Sequence, residues 1–352
     1  MLYAVAVAAA FLFLLAWLER AEGANMGYRM ARTAASAAIA IAVAVVAADL
    51  ALGQSWPTKP VRVIVPFSPG SATDLVPRTV FDQVAAQVGQ TIIIDNRAGG
   101  GTTVGTAAVA KAEPDGHTLL AHSNGLVTTP AIQASVPYDP VADFSAITPL
   151  AVVPMVLVIS PEKKITTLKQ LVDVAKAKPG TLNYAAAGIG TPPHLTMERF
   201  RIAAGFTGQL VPFRGAPEAL TEVLAGRVDV YFAPAPPAIE FIRDGKLLAL
   251  AVSSVRRAAA LPDVPTTLEA GFPDSDFDFW VGMFAPKQTP RGIVGRIQAE
   301  TVKALQNPSV IAKLANLGVE PLIQSPEDFD ARVAKEARIA VELARAAKIP
   351  LQ

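Results

Sequence analysis

From Trp56 onward, short β-branched runs alternate with stretches whose apolar residues recur every three or four positions. The runs predict strands at 61–66, 91–95, 117–121, 152–159, 181–185, 209–213, 228–232, 247–252 and 278–284. The periodic stretches predict helices at 74–88, 103–112, 167–178, 194–204, 216–225, 236–243, 291–306, 308–317 and 326–347. Alternation of this kind implies α/β architecture on parallel sheets, and no internal repeat or long linker interrupts it. Two extended segments stand apart. Residues 152–159 are long for one buried strand and are broken by Pro154, and 277–286 are aromatic-rich with Gly282 inside. Set side by side, they would carry the chain from one lobe to another and back. That arrangement gives a bilobal protein with a discontinuous first domain, 56–155 plus 282–352, and a second domain at 156–281. The lobes would close over ligand by bending at the paired crossings.

The segment Val61-Arg-Val-Ile-Val-Pro-Phe-Ser-Pro-Gly-Ser-Ala-Thr-Asp74 carries the most information. A β-rich run stops at Pro66, turns through Pro69 and Gly70, and reaches Thr73 and Asp74, either of which suits an N-cap. The helix that follows is marked by Val76, Val80, Val84 and Val88. A strand, a tight turn and a helix N-terminus aim unpaired backbone N–H groups at one point, which attracts an anion without a basic side chain. Phe67, Ser68, Gly70, Ser71, Thr73 and Asp74 are therefore candidate ligand-binding residues.

The same logic recurs in Ala185-Ala-Ala-Gly-Ile-Gly-Thr-Pro-Pro-His194. Gly188 and Gly190 free the backbone, Thr191 can cap, and two prolines fit the first turn of a helix. Gly188, Gly190, Thr191 and His194 join the candidates, although His194 also reads as a structural first-turn residue. Two such termini facing one cleft would clamp a carboxylate. Ser123 and Asn124, in Ala121-His-Ser-Asn-Gly125, follow a short strand. They read either as a polar turn or as part of the cleft edge, where ligands of parallel sheets bind. Arg214 reads either way too, as an edge residue or a solvated ion pair.

Charge and composition narrow the chemistry. Lys plus Arg total 31 and Asp plus Glu total 30, a net charge of +1 that argues against a nucleic-acid surface. With no cysteine, thiol catalysis, disulfides and cysteine-ligated metals are excluded. Residues 91–105 end a strand in three glycines, but Gly99, Gly101 and Gly105 give G-x-G-x-x-x-G, which misses the dinucleotide fingerprint. They read as a tight turn that also lines the cleft. The three histidines do not cluster, and neither a G-x-S-x-G elbow nor a P-loop is present. No catalytic residue, metal or cofactor is expected.

Two apolar stretches precede Trp56. Residues 26–53 have a basic region at Arg29 and Arg32, an apolar region at 34–47 and a small-residue site at 51–53, the layout of a signal peptide. Cleavage would place Gln54 first and the protein in the periplasm. Residues 2–18 are the product of an upstream start, or an N-terminal anchor if translation begins at Met1.

Further motifs carry a family resemblance. Trp56-Pro-Thr-Lys-Pro-Val-Arg-Val-Ile-Val-Pro-Phe67, Asp95-Asn-Arg-Ala-Gly99 and Pro114-Asp-Gly-His-Thr-Leu-Leu120 resemble the Bug (TctC-type) solute-binding proteins. So do Val136-Pro-Tyr-Asp-Pro-Val-Ala-Asp-Phe144, Lys178-Pro-Gly-Thr-Leu-Asn-Tyr184 and Leu261-Pro-Asp-Val-Pro-Thr266, and the likeness runs in order through 56–347. The resemblance implies a type II periplasmic-binding fold and a periplasmic receptor of a tripartite tricarboxylate transporter. It also implies a ligand carboxylate held largely by backbone N–H groups and ordered water at Phe67 to Asp74. The second-lobe loop from Gly188 to His194 and the Ser123 region complete the implied site. The implied partners are a small organic acid and either permease subunits or a sensor kinase, with the receptor a monomer. A hydrolase or lyase on the same fold is the remaining alternative. Two departures bear on the ligand: Ser71 stands where relatives usually have glycine, and Ala233 where many have aspartate. The loss of that aspartate implies an acid less polar than an amino acid.

Overall fold

The computed structural model describes residues 56–346 and 351. The fold lies within the compact unit Trp56–Gln352; the expected signal peptide at 26–53 and the apolar stretch at 2–18 lie outside the described residues. The chain opens with β1 (Val61–Val65), α1 (Ala72–Val88), β2 (Ile92–Asn96), α2 (Thr103–Ala110), β3 (Thr118–Ser123), α3 (Gly125–Ile132) and β4 (Phe144–Val152). A second set follows: β5 (Met155–Ile159), α4 (Leu168–Ala177), β6 (Leu182–Ala186), α5 (Pro192–Ala204), β7 (Gly208–Pro212), α6 (Ala216–Leu224), β8 (Val230–Pro234), α7 (Ala235–Arg243) and β9 (Leu248–Val252). The chain then returns with β10 (Trp280–Pro286), α8 (Arg291–Leu305), α9 (Pro308–Asn316), β11 (Glu320–Pro321) and α10 (Pro326–Ala346).

These strands form two sheets, ordered β11-β4-β10-β3-β1-β2 and β7-β6-β8-β5-β9. The sheets are mixed, not wholly parallel as the alternation predicts. β1, β2 and β3 run parallel, as do β6, β7 and β8, but β10 runs antiparallel to β3 and β4, and β5 antiparallel to β8 and β9. The reason is topological: β5 and β10 are the strands that enter each sheet from the other lobe, so no crossover helix sets their direction.

The predicted strand at 152–159 is two strands in two different sheets. Val153 and Pro154 separate them, since proline has no N–H to donate to a ladder. The outgoing and returning segments run side by side here. Val153 N donates to Phe279 O at 2.8 Å, Ser253 N to Met155 O at 2.9 Å and Phe277 N to Ser253 O at 2.8 Å. Ser253 Oγ adds a bond to Phe277 O at 2.9 Å.

Apolar periodicity explains the packing. Val76, Val80 and Val84, spaced one turn apart on α1, are all fully buried, and Gly89 ends that helix in the left-handed conformation (φ 65°). One apolar cluster runs from Val63 and Phe81 through Leu150 and Met155 to Phe200 and Phe232, joining the lobes at the crossing. Phe200 is its hub in the second lobe, with ring centroids of Phe206, Phe232 and Phe272 at 5.7, 5.8 and 5.4 Å. Trp280 ties α10 to β10 by donating to both oxygens of Glu336, at 3.1 and 2.9 Å.

Candidate ligand-binding cleft

A cleft of about 740 Å³ opens between the two sheets, lined by residues at the C-terminal ends of β1, β2, β6 and β7. Its first-lobe wall is Pro66, Phe67, Ser68 and residues 98–102. Opposite lie Ala187, Gly188, Pro212, Phe213, Arg214 and Glu218. Parallel strands ending together leave such a crevice, with the following helix N-termini around it.

The β1–α1 turn is held from within. Gly70 adopts φ +79° and donates its N–H to Asp74 Oδ2 at 2.8 Å. Asp74 Oδ1 accepts from Arg78 Nε at 2.8 Å and Asn96 Nδ2 at 2.9 Å, and Asn96 Nδ2 also reaches Phe67 O at 3.1 Å. Asp74 is 2% exposed, so its carboxylate organises the turn and offers no charge to the cleft. The expected caps, Thr73 and Asp74, lie inside the helix. Ser71 is the N-cap, in extended conformation (φ −72°, ψ 162°), and its side chain makes no capping bond. Its buried hydroxyl has no partner among the described residues. Asp74 N and Leu75 N bond back to Ser71 O, whereas the N–H groups of Ala72 and Thr73 meet no acceptor among the described residues. They are the donors this terminus presents.

The β6–α5 turn is also fixed internally, and it is a weaker anion site than the sequence suggests. Thr191 is the N-cap, but its Oγ1 donates to Gly188 O at 2.7 Å instead of capping. Pro192 and Pro193 occupy the first two helical positions, so two of the usual donors are missing and the helix dipole contributes most of what remains. His194 Nδ1 accepts from Gly190 N at 3.2 Å, which places the proton on Nε2, 4.0 Å from Glu198 Oε1. Glu198 is held in turn by Tyr184 and Arg201. His194 is 4% exposed and faces its own loop.

The β3–α3 turn lies beneath these two. Ser123 Oγ accepts from Gly125 N at 3.1 Å, and Asn124 Nδ2 donates to Asp278 O at 2.8 Å. A Cβ on Gly125 would be in ordinary contact with Pro192 Cδ at 3.5 Å, so the N-termini of α3 and α5 face each other across the crevice. Of the residues expected at the site, Phe67, Ser68 and Gly188 line the cleft. Gly70, Ser71, Thr73, Asp74, Ser123, Asn124, Gly190, Thr191 and His194 form the turns behind it. Arg214, which reads from the sequence as an edge residue or a solvated ion pair, lines the cleft, together with Pro212, Phe213 and Glu218, which the sequence does not single out. Ala233 is fully buried within the apolar cluster behind the second sheet and is not among the cleft-lining residues. An Ala233→Asp change would therefore report on folding before specificity.

The buried histidines give a pH signature. Burial pushes His122 down to about 3, partly opposed by its bond to Ser123 O. Burial likewise lowers His194, with Glu198 opposing and Arg201 adding to the effect. Both are neutral when folded and take up a proton near 6.5 when unfolded, so their stabilisation is complete above that pH and lost as pH falls. Between pH ~6.5 and ~5, before carboxylates dominate, the unfolding free energy from urea denaturation should fall by up to about 1.4 kcal/mol per pH unit through His122, with His194 acting in the same direction. A flat profile across that window would contradict the placement.

A two-lobed α/β body whose crevice is walled by strand-to-helix turns has the form of a bilobal periplasmic-binding fold. The family described as TctC, tripartite tricarboxylate transporter family receptor, matches residues 76–345, and the chain belongs to it. It is 34% identical over 309 residues to BugT of Bordetella pertussis, covering 87% of this chain and 94% of that protein. Among solved structures, the periplasmic binding protein BugD matches at 31% identity and TM-score 0.80, covering 84% of this chain and 100% of BugD. An R. palustris protein solved with adipate matches at 30% identity and TM-score 0.82, with coverage of 84% and 100%. Among the described residues no helix is long and apolar enough to cross a membrane.

Proposed function

We propose that this chain is a periplasmic receptor that captures a small organic acid in the interlobe cleft and delivers it to the permease subunits of a tripartite transporter. One observation carries it: the Ala72 and Thr73 N–H groups, without acceptors among the described residues, sit at a helix N-terminus beside a cleft of about 740 Å³. The ligand carboxylate is assigned to the turn from Phe67 to Asp74, with Gly188, Gly190, Thr191 and His194 behind the opposite wall and Ser123 and Asn124 beneath. Asp74 and His194 act by fixing backbone, not by touching ligand. The apolar walls, Pro66, Phe67, Ala187, Pro212 and Phe213, favour an acid with an apolar body over an amino acid.

The first domain is assigned to 56–155 plus 282–352 and the second to 156–281; the change of sheet between β4 and β5 and between β9 and β10 supports a division near these bounds. The protein acts as a monomer and performs no catalysis in this scheme. A melting screen of the purified protein against mono-, di- and tricarboxylates, aromatic acids and amino acids tests it. An acid at about 100 times its Kd adds about 2.7 kcal/mol of stability. A panel in which no carboxylate raises the melting midpoint would sink the proposal.

A further inference from the structure

Threonines inside helices commonly turn their hydroxyl back to the carbonyl four residues earlier. Thr79, Thr106, Thr196, Thr221 and Thr301 all do so in this chain, at 2.8–2.9 Å. Thr128, on α3 in the first lobe, does not. Its Oγ1 donates instead to Gly190 O at 2.8 Å, across the crevice in the second lobe. Thr128 is 5% exposed, so water competes little for this bond.

The acceptor is built to receive it. Gly190 N is held within its own lobe by His194, and the turn is braced by the bond from Thr191 to Gly188. Both ends of the Gly190 residue are thus occupied, the N–H inside the lobe and the carbonyl across the gap. The fit is also close. A Cβ on Gly190 would lie 2.8 Å from Ile132 Cδ1 and 3.2 Å from Thr129 Cα, both in the first lobe, and its φ of +80° suits glycine. At the other end of the cleft, Ser68 Oγ reaches Arg214 O at 3.3 Å in an exposed position, a weaker contact.

We propose that Thr128 is the latch of the closed receptor, a positioning residue that forms its bond only when the lobes meet over the ligand. This rests on the cleft being the binding site. Gly188, in the same turn, lines the cleft, so an acid seated there orders the surface that Thr128 grips.

The cysteine-free chain permits a test that needs no ligand. A Cβ on Gly215 would lie 2.9 Å from Ser68 Cβ across the cleft, inside the 3.5–4.5 Å a disulfide needs, so this edge of the cleft must part by roughly 0.6–1.6 Å for cysteines at the two positions to pair. With that small parting, a Ser68→Cys, Gly215→Cys variant can be held nearly shut by oxidation and released by reduction. Thr128→Val in that background should lower the melting midpoint by about 2–4 °C more when oxidised than when reduced. Thr128→Ser should restore most of the difference. Equal losses in both states would make Thr128 an ordinary structural residue and overturn the proposal. A failed melting screen with an intact latch would instead count against the carboxylate reading alone.

Discussion

Asp74→Ala is expected to destabilise the protein by about 2–4 kcal/mol and to abolish ligand binding. The carboxylate is 2% exposed and accepts from three donors: Gly70 N, Arg78 Nε and Asn96 Nδ2. Removing it strands the Gly70 N–H in a half-buried turn and frees Arg78 from its partner. The figure stays at the lower end for a broken buried pair because the Arg78 side chain is 42% exposed and can reach water. Binding suffers more than folding, since the turn that Asp74 fixes is the one presenting the Ala72 and Thr73 N–H groups. Asp74→Asn keeps one acceptor oxygen and should recover part of both losses. Urea denaturation and calorimetric titration read the two effects separately. A stability change under about 0.5 kcal/mol would show that the carboxylate does not hold the turn.

Gly215→Ala should produce the opposite division, weakening binding at least tenfold while leaving the ligand-free protein within about 0.5 kcal/mol of wild type. Gly215 has φ −172°, extended backbone that any residue adopts, so no strain accompanies the added methyl. Its Cβ would nevertheless sit 2.7 Å from Ser68 Oγ and 2.9 Å from Ser68 Cβ, on the other side of the cleft. The collision exists only when the lobes are together. Combining it with Ser68→Gly removes the obstructing side chain and should restore much of the affinity, a coupling that a double-mutant cycle measures. Equal affinity for Gly215→Ala and wild type would mean that the lobes do not close this tightly on ligand.

The β1–α1 turn was legible because local signals agree there: a β-branched run, a Pro/Gly turn and valines one helical turn apart. Its cap was misplaced because Ser71, Thr73 and Asp74 are all capping residue types. What draws Asp74 inward is Asn96, on a strand that no local window includes. β4 went unseen from 144 to 151 because Ser145, Thr148 and Pro149 read as a loop. In the structure the strand is covered by β10 and β11, and Pro149 lies opposite Gly282 at a register shift. α3 was missed for a similar reason, since Thr128, Thr129 and Pro130 argue against a helix locally. The far wall at Pro212, Phe213 and Glu218 was out of reach, because only the fold brings the end of β7 opposite Phe67 and Ser68.

The change of sheet at Pro154 also sets an order of assembly. The second lobe is one continuous length of chain and has all its strands as soon as β9 is available to fold. The first lobe does not, because β10 belongs between β3 and β4 at the middle of its sheet. Until that late strand arrives, β3 and β4 have no neighbour to join them, and Phe284 and Trp280 are missing from the core behind them. The lobe that begins first is therefore the one that finishes last, and the β10-side edges of β3 and β4 stay open throughout the interval.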